Sequence, residues 1–158
     1  MLRPSVIDDH LPSLAGLSAK LNGGDALNYT ATFGLFAALG SADGSLEEIA
    51  HQAIGPLTKI GGSWSCTKSS LLEEEVASSL EYLGDNGAHP NRDFLNSPMF
   101  QEVVDCATRE IGDFIDAADL LIDFYLAEGH PFYPVFWDFA FAIVRGRDAY
   151  ILIGSSSD

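Results

Sequence analysis

Over Ser97–Glu128 (SPMFQEVVDCATREIGDFIDAADLLIDFYLAE), apolar positions recur every three or four residues. At about 100° per residue, Val103, Val104, Ala107, Ile111, Phe114, Ile115, Ala118, Leu121, Ile122 and Tyr125 gather on one side. Glu102, Asp105, Asp113, Asp116, Asp119 and Asp123 gather on the other, with Glu110 and Glu128 nearer its edge and Arg109 the single base among them. Ser97 can cap the first turn, and Pro98 suits the first helical position. The pattern predicts one long amphipathic helix with a nearly continuous acidic face. Gly112, at a cost of about 1 kcal/mol relative to Ala, leaves open a kink or two helices in line.

The other periodic segments are shorter. LPSLAGLSAKL reads as a short helix closed by Asn22-Gly23-Gly24. In the stretch from Asp25 to Gly40, Tyr29, Thr30, Thr32 and Phe33 favour a strand, whereas its length and Ala-Ala-Leu ending favour a buried helix; the helix is expected. Ser45 and Glu48 form a capping box ahead of the stripe Leu46, Ile49, Ala50, Ala53 and Ile54, and Ser70 with Glu73 suggests a second. LTKIGGSWSCTK is loop or short strand. Beyond Gly129 the period changes to two: VFWDFAFAIV and AYILI flank Arg145-Gly146-Arg147-Asp148, a hairpin signal. Both faces of that hairpin are apolar, which implies cover on both sides, by this chain or by a partner. Gly154–Asp158 reads as a flexible tail. The expected fold is α+β, a helical body around the long helix with a C-terminal antiparallel hairpin or small sheet, in a single domain spanning residues 1–158.

At 158 residues with 47% hydrophobic content, the chain can fold as one globular unit. No apolar run reaches the roughly 20 residues of a membrane helix. The opening MLRPSVIDDHLPS, interrupted by Asp8-Asp9, lacks a signal-peptide core, so a cytoplasmic location is expected. Acids outnumber bases 23 to 8, a net charge of −15. Such a field repels nucleic acids and anionic membranes and steers basic partners into contact.

Catalytic grammar is sparse. There is no G-x-S-x-G elbow and no phosphate-binding glycine loop. Cys66 and Cys106 lack metal spacing and read as reduced thiols; His10, His51, His89 and His130 are scattered. No catalytic residue, metal site or cofactor is assigned. Asp138, inside FWDFAF, is the one acid in aromatic company. If exposed it is an ordinary edge residue, and if buried it needs Arg145, Arg147 or backbone donors.

FAALGSADGSLEEIAHQAI (Phe36–Ile54) resembles the helix–ADG–acidic–helix signature of tellurite-resistance TerB-like domains, an all-helical fold. In size, acidity and architecture the chain also resembles immunity proteins of bacterial toxin systems. That resemblance implies a basic toxin domain as partner, neutralised by occlusion. Acids from Glu102 to Glu128, chiefly Asp105, Asp113, Asp116, Asp119 and Asp123, with Glu73-Glu74-Glu75, would then steer and rim the interface, and Trp64 and Tyr133 would be its buried anchors. The alternative is a small enzyme or ligand-binding domain, with a pocket between the long helix and the hairpin lined by His130, Tyr133, Phe136, Trp137 and Asp138.

Overall fold

In the computed structural model, which describes residues 3–158, five strands drawn from the length of the chain form one antiparallel sheet. They are β1 (Thr30–Ala38), β2 (Lys59–Ser65), β3 (Leu120–Glu128), β4 (Trp137–Arg145) and β5 (Asp148–Ser157), in the spatial order β1-β5-β4-β3-β2. One face carries α1 (Ile7–His10), α2 (Pro12–Asn22), a π-helical segment (Ser70–Val76) continuing into α4 (Ala77–Leu80), α5 (Arg92–Leu95) and α6 (Met99–Asp116). The other face is covered by α3 (Leu46–Ala53). The fold is α+β, but the expected helical body with a terminal hairpin is wrong. The sheet is the organising element, and its strands are interleaved with the helices.

The central error concerns the long helix. It ends at Asp116, with Ala117 as C-cap, and the chain resumes as β3 at Leu120. No glycine or proline marks the break, and the apolar residues of LLIDFYLAE satisfy a period of 3.6 as readily as one of 2. The period of 2 is realised: Ile122, Phe124 and Leu126 pack on the α3 side, and Leu121 on the α6 side. Pairing of Leu120–Asp123 with Val144–Phe141 of β4 makes the extended form the one that buries both sides of the segment. Gly112 neither kinks nor divides α6. A Cβ there would meet Lys68 Cε and Leu72 Cδ1 at 3.4 and 3.5 Å, ordinary contact distances, so the packing does not require a glycine.

Three further expectations are corrected. The segment expected as a buried helix is β1, whose β-branched and aromatic start pairs with β5 from Thr30↔Ser157 to Ala38↔Ala149. The tail expected to be flexible lies between β1 and β4 as far as Ser156, with Ser157 paired to β1 and Ser155 and Ser156 buried. The second capping box does not form. Instead Thr67 caps the run, its Oγ1 accepting the Ser70 N–H at 3.1 Å, and the Ser69 and Ser70 hydroxyls donate to Glu73 and Glu74 at 3.2 Å.

Other readings match the structure. Ser45 and Glu48 cap each other's backbone at the start of α3. The hairpin pairs from Trp137↔Ser156 to Arg145↔Asp148 around Gly146 at φ +58°, a conformation glycine adopts freely. Its two faces are both covered by this chain. Phe139, Phe141 and Ile143 meet the α2 and α6 side, while Ala140, Ala142 and Val144 leave room for α3 to lie close. Among the described residues no helix is long and apolar enough to cross a membrane.

Candidate functional site

β3 follows β4 only over Leu120–Asp123. It then runs on beside β2, while Trp137–Ala140 of β4 has β5 alone as neighbour. Carboxylates collect where the strands part. Asp123 leaves β3 on the face that the π-helical segment covers, near Glu75 of that segment. Burial pushes the carboxyls of both residues above their ordinary range; for Glu75 the charges of Asp123, Glu74 and Asp138 push further in the same direction. The same desolvation, with Asp123 adding to it, pushes the Cys66 thiol up to about 11, so it stays protonated at neutral pH. Among the described residues the ion pairs of Lys and Arg are Lys59–Glu128 at 3.2 Å and Lys68–Asp116, and His130 Nε2 lies 3.5 Å from Asp138. None of them involves Glu75 or Asp123.

An aromatic pair adjoins this acidic corner. Trp64 stands opposite Asp123 in the β2–β3 ladder and stacks on Tyr125, with ring centroids 6.1 Å apart and planes at 28°. The two remain 58% and 48% exposed, an open apolar platform rather than core. Tyr125 lies across Gly61, where a Cβ would sit 2.0 Å from its ring. The glycine is there because the ring needs its space.

Of the acids expected to form one binding face, Asp123 and Glu75 join this corner. Asp105 and Asp113 are exposed on α6, beside a groove of about 410 Å³ shared with Lys68, Glu73 and Arg109. Asp105 accepts from Gln101 Nε2 at 2.8 Å. Asp116 pairs with Lys68, and Asp119 accepts from the N–H of Gly146 at 2.9 Å, tying the hairpin turn to the start of β3. Glu110 accepts the Ser13 N–H at 3.0 Å and so caps α2. Tyr133 is 75% exposed in the β3–β4 connection. Tyr125 was missed as a surface residue because the helical wheel put it inside. Alternation of Ile122, Phe124 and Leu126 is the signal that would have placed it.

The expected aromatic pocket does not form as one site. His130 and Asp138 do meet, Nε2 lying 3.5 Å from Oδ2. His130 Nδ1 lies 3.0 Å from the Phe132 N and 3.2 Å from the Phe132 carbonyl oxygen, which leaves Nε2 as the ring nitrogen facing Asp138. Phe136 and Trp137 belong to the opposite side of the sheet. Phe136 stacks with Tyr29 and Tyr82, and Trp137 stacks on Phe33 and Phe139 and donates to the Tyr29 hydroxyl at 3.2 Å. Burial raises that hydroxyl to about 12. Successive strand residues point to opposite faces, so Trp137 and Asp138 cannot line one pocket. His130 instead borders a cavity of about 230 Å³ with Ile54, Leu57 and Thr58. Neither Arg145 nor Arg147 partners Asp138; Arg145 lies over the Phe114 ring at 4.3 Å.

Among the described residues no three His, Cys, Asp or Glu side chains are grouped so as to hold a metal ion. The Phe36–Ile54 segment is a strand end, a turn and α3, so it lacks the first helix that a TerB-like domain would have. Comparison with protein-family models, with curated proteins and with solved structures returned no match.

Proposed function

We propose that the protein binds a basic protein at the acidic corner and neutralises it by occlusion in the cytoplasm, as immunity proteins do to bacterial toxins. The observation that supports this most is the position of Glu75 and Asp123, partly desolvated and paired with no base among the described residues, beside the exposed Trp64–Tyr125 pair. Two carboxylates held this way favour the arrival of a cation. A guanidinium or ammonium from the partner would pair with them and lie against the aromatic faces. The net charge of −15 would speed the encounter.

The test is capture of partners from the source cell's lysate and secretome, followed by binding kinetics at several salt concentrations. Association should slow as salt rises, because exposed charges are screened beyond roughly 8–10 Å. The double change Glu75→Gln with Asp123→Asn should slow association, and Trp64→Ala should speed dissociation. An on-rate indifferent to salt and to the double change would refute the reading.

One observation favours a second reading, a small-ligand site. His130 Nε2 is buried and makes no hydrogen bond, although Asp138 is near and a cavity adjoins it. Recovery of a small molecule whose binding is lost in His130→Phe, with no protein partner captured, would establish that alternative.

A further inference from the structure

The sheet has two outer edges, and the chain treats them differently. Along β1 its own groups close the edge at two positions, Leu35 and Ala31. The Val6 N–H donates to the Leu35 carbonyl at 2.7 Å, and the Ser5 hydroxyl accepts the Leu35 N–H at 3.0 Å. Asn22 brackets Ala31, accepting its N–H at 2.6 Å and donating to its carbonyl at 2.9 Å. Along β2 no hydrogen bond among the described residues reaches Ser63 or Ser65 from outside the sheet, and both residues are exposed.

The register shows which groups are on offer. The Cys66 N–H donates to the Leu121 carbonyl at 3.2 Å, extending the pairing Trp64↔Asp123 by two residues. Bonded and non-bonded pairs alternate in an antiparallel ladder. Gly62, Trp64 and Cys66 therefore turn their backbone groups toward β3, and Ser63 and Ser65 turn theirs outward. The irregular part of β2 lies between Lys59 and Gly62, which leaves Gly62–Ser65 regular.

We propose that the open edge of β2 takes up an extended segment of a basic protein as a sixth strand. The inference rests on the binding function proposed above and gives it a mode. Natural sheets blunt their free edges, as β1 does here; an edge left open is the surface to which an extended peptide adds through main-chain bonds. Charge selects the occupant. A strand alongside Ser63–Ser65 adjoins Trp64, with Asp123 one strand further in directly opposite that ring, so alternate lysine or arginine side chains on that face would lie on the aromatic pair and extend across it toward the carboxylates. A second copy of this chain is a poor occupant, because it would bring another −15 and the same acids to the interface.

The probe is an octapeptide of alternating lysine and valine. Its control carries the same charge with proline in place of each valine, so that it cannot pair as a strand. The readout is amide hydrogen exchange in the isotope-labelled full chain at low salt. With the lysine–valine peptide, Ser63 and Ser65 amides should gain protection, and the proline control should leave them unchanged. Ser63→Pro deletes an outward N–H without touching the β2–β3 ladder and should weaken the peptide about fivefold to tenfold; Ser63→Ala should not. The exchange data on the unaltered chain stand even if Ser63→Pro fails to fold. Equal binding of the two peptides, or protection that spares Ser63 and Ser65, overturns the strand proposal while leaving charge-driven binding intact. Protection that rises with protein concentration alone overturns it in favour of self-pairing. Failure of both peptides to bind at low salt overturns the strand proposal and the binding reading together.

Discussion

Deleting Gly154–Asp158 should unfold the protein, although composition alone marks those residues as dispensable. Gly154, Ser155, Ser156 and Ser157 pair with Phe33, Thr32, Ala31 and Thr30 on β1, and the first three of them also pair with Phe139, Asp138 and Trp137 on β4. Each contributes one N–H and one C=O, so the deletion removes roughly eight ladder hydrogen bonds. At about 0.5–1.5 kcal/mol apiece the loss is about 4–12 kcal/mol. The Ser156 carbonyl also accepts the N–H groups of Val135 and Phe136, at 2.8 and 3.1 Å, which would be stranded. A protein of this size is stable by about 5–15 kcal/mol, so the deletion consumes most or all of it. Near-UV circular dichroism and urea denaturation of the truncated chain check the expectation. Removing Asp158 alone, an exposed residue beyond the strand, is the control and should change nothing. A five-residue truncation that keeps a native near-UV spectrum and an unchanged urea midpoint would refute the assignment of the tail to β5.

Asp119→Ala should cost about 1 kcal/mol in denaturant unfolding by freeing the Gly146 N–H, and should leave partner binding unchanged. Gly112→Ala should be neutral or stabilise by up to about 1 kcal/mol, since its Cβ meets Lys68 and Leu72 at ordinary contact distance and alanine suits the helix interior; a clear loss in thermal unfolding would mean that α6 and the π-helical segment pack more tightly than described. Glu75→Gln and Asp123→Asn should each raise stability at neutral pH. A carboxyl whose folded pKa is raised binds its proton more tightly in the native state, so stability falls as pH climbs from the unfolded values, 4.5 and 3.8, through the raised folded ones. The advantage of either amide should vanish below those unfolded values, and urea midpoints measured across the acid range would expose an advantage that does not.

The sequence by itself determined the features that are settled within a few residues. The Ser45–Glu48 capping box and the stripe behind it define α3, because a cap and its first turn are local. The hairpin around Gly146 follows from two alternating runs and a tight turn, and its doubly apolar pattern already required cover on both faces. The phase of Phe114, Ile111 and Ala107 was also legible, since α6 is long enough for one period to dominate. The excess of acid needs no structure at all. Only the tertiary structure decided where α6 ends, that Thr30–Ala38 is a strand and that the serine-rich tail is interior. Each of those depends on a partner strand distant in sequence: β1 and the tail require each other, and β3 requires β4. Local propensities differ by about 1 kcal/mol or less, too little to choose between helix and strand when both periods fit. The candidate site was lost for the same reason. Asp123 and Trp64 were visible as residues, but their meeting with Glu75 and Tyr125 exists only because β3 leaves β4 to run beside β2.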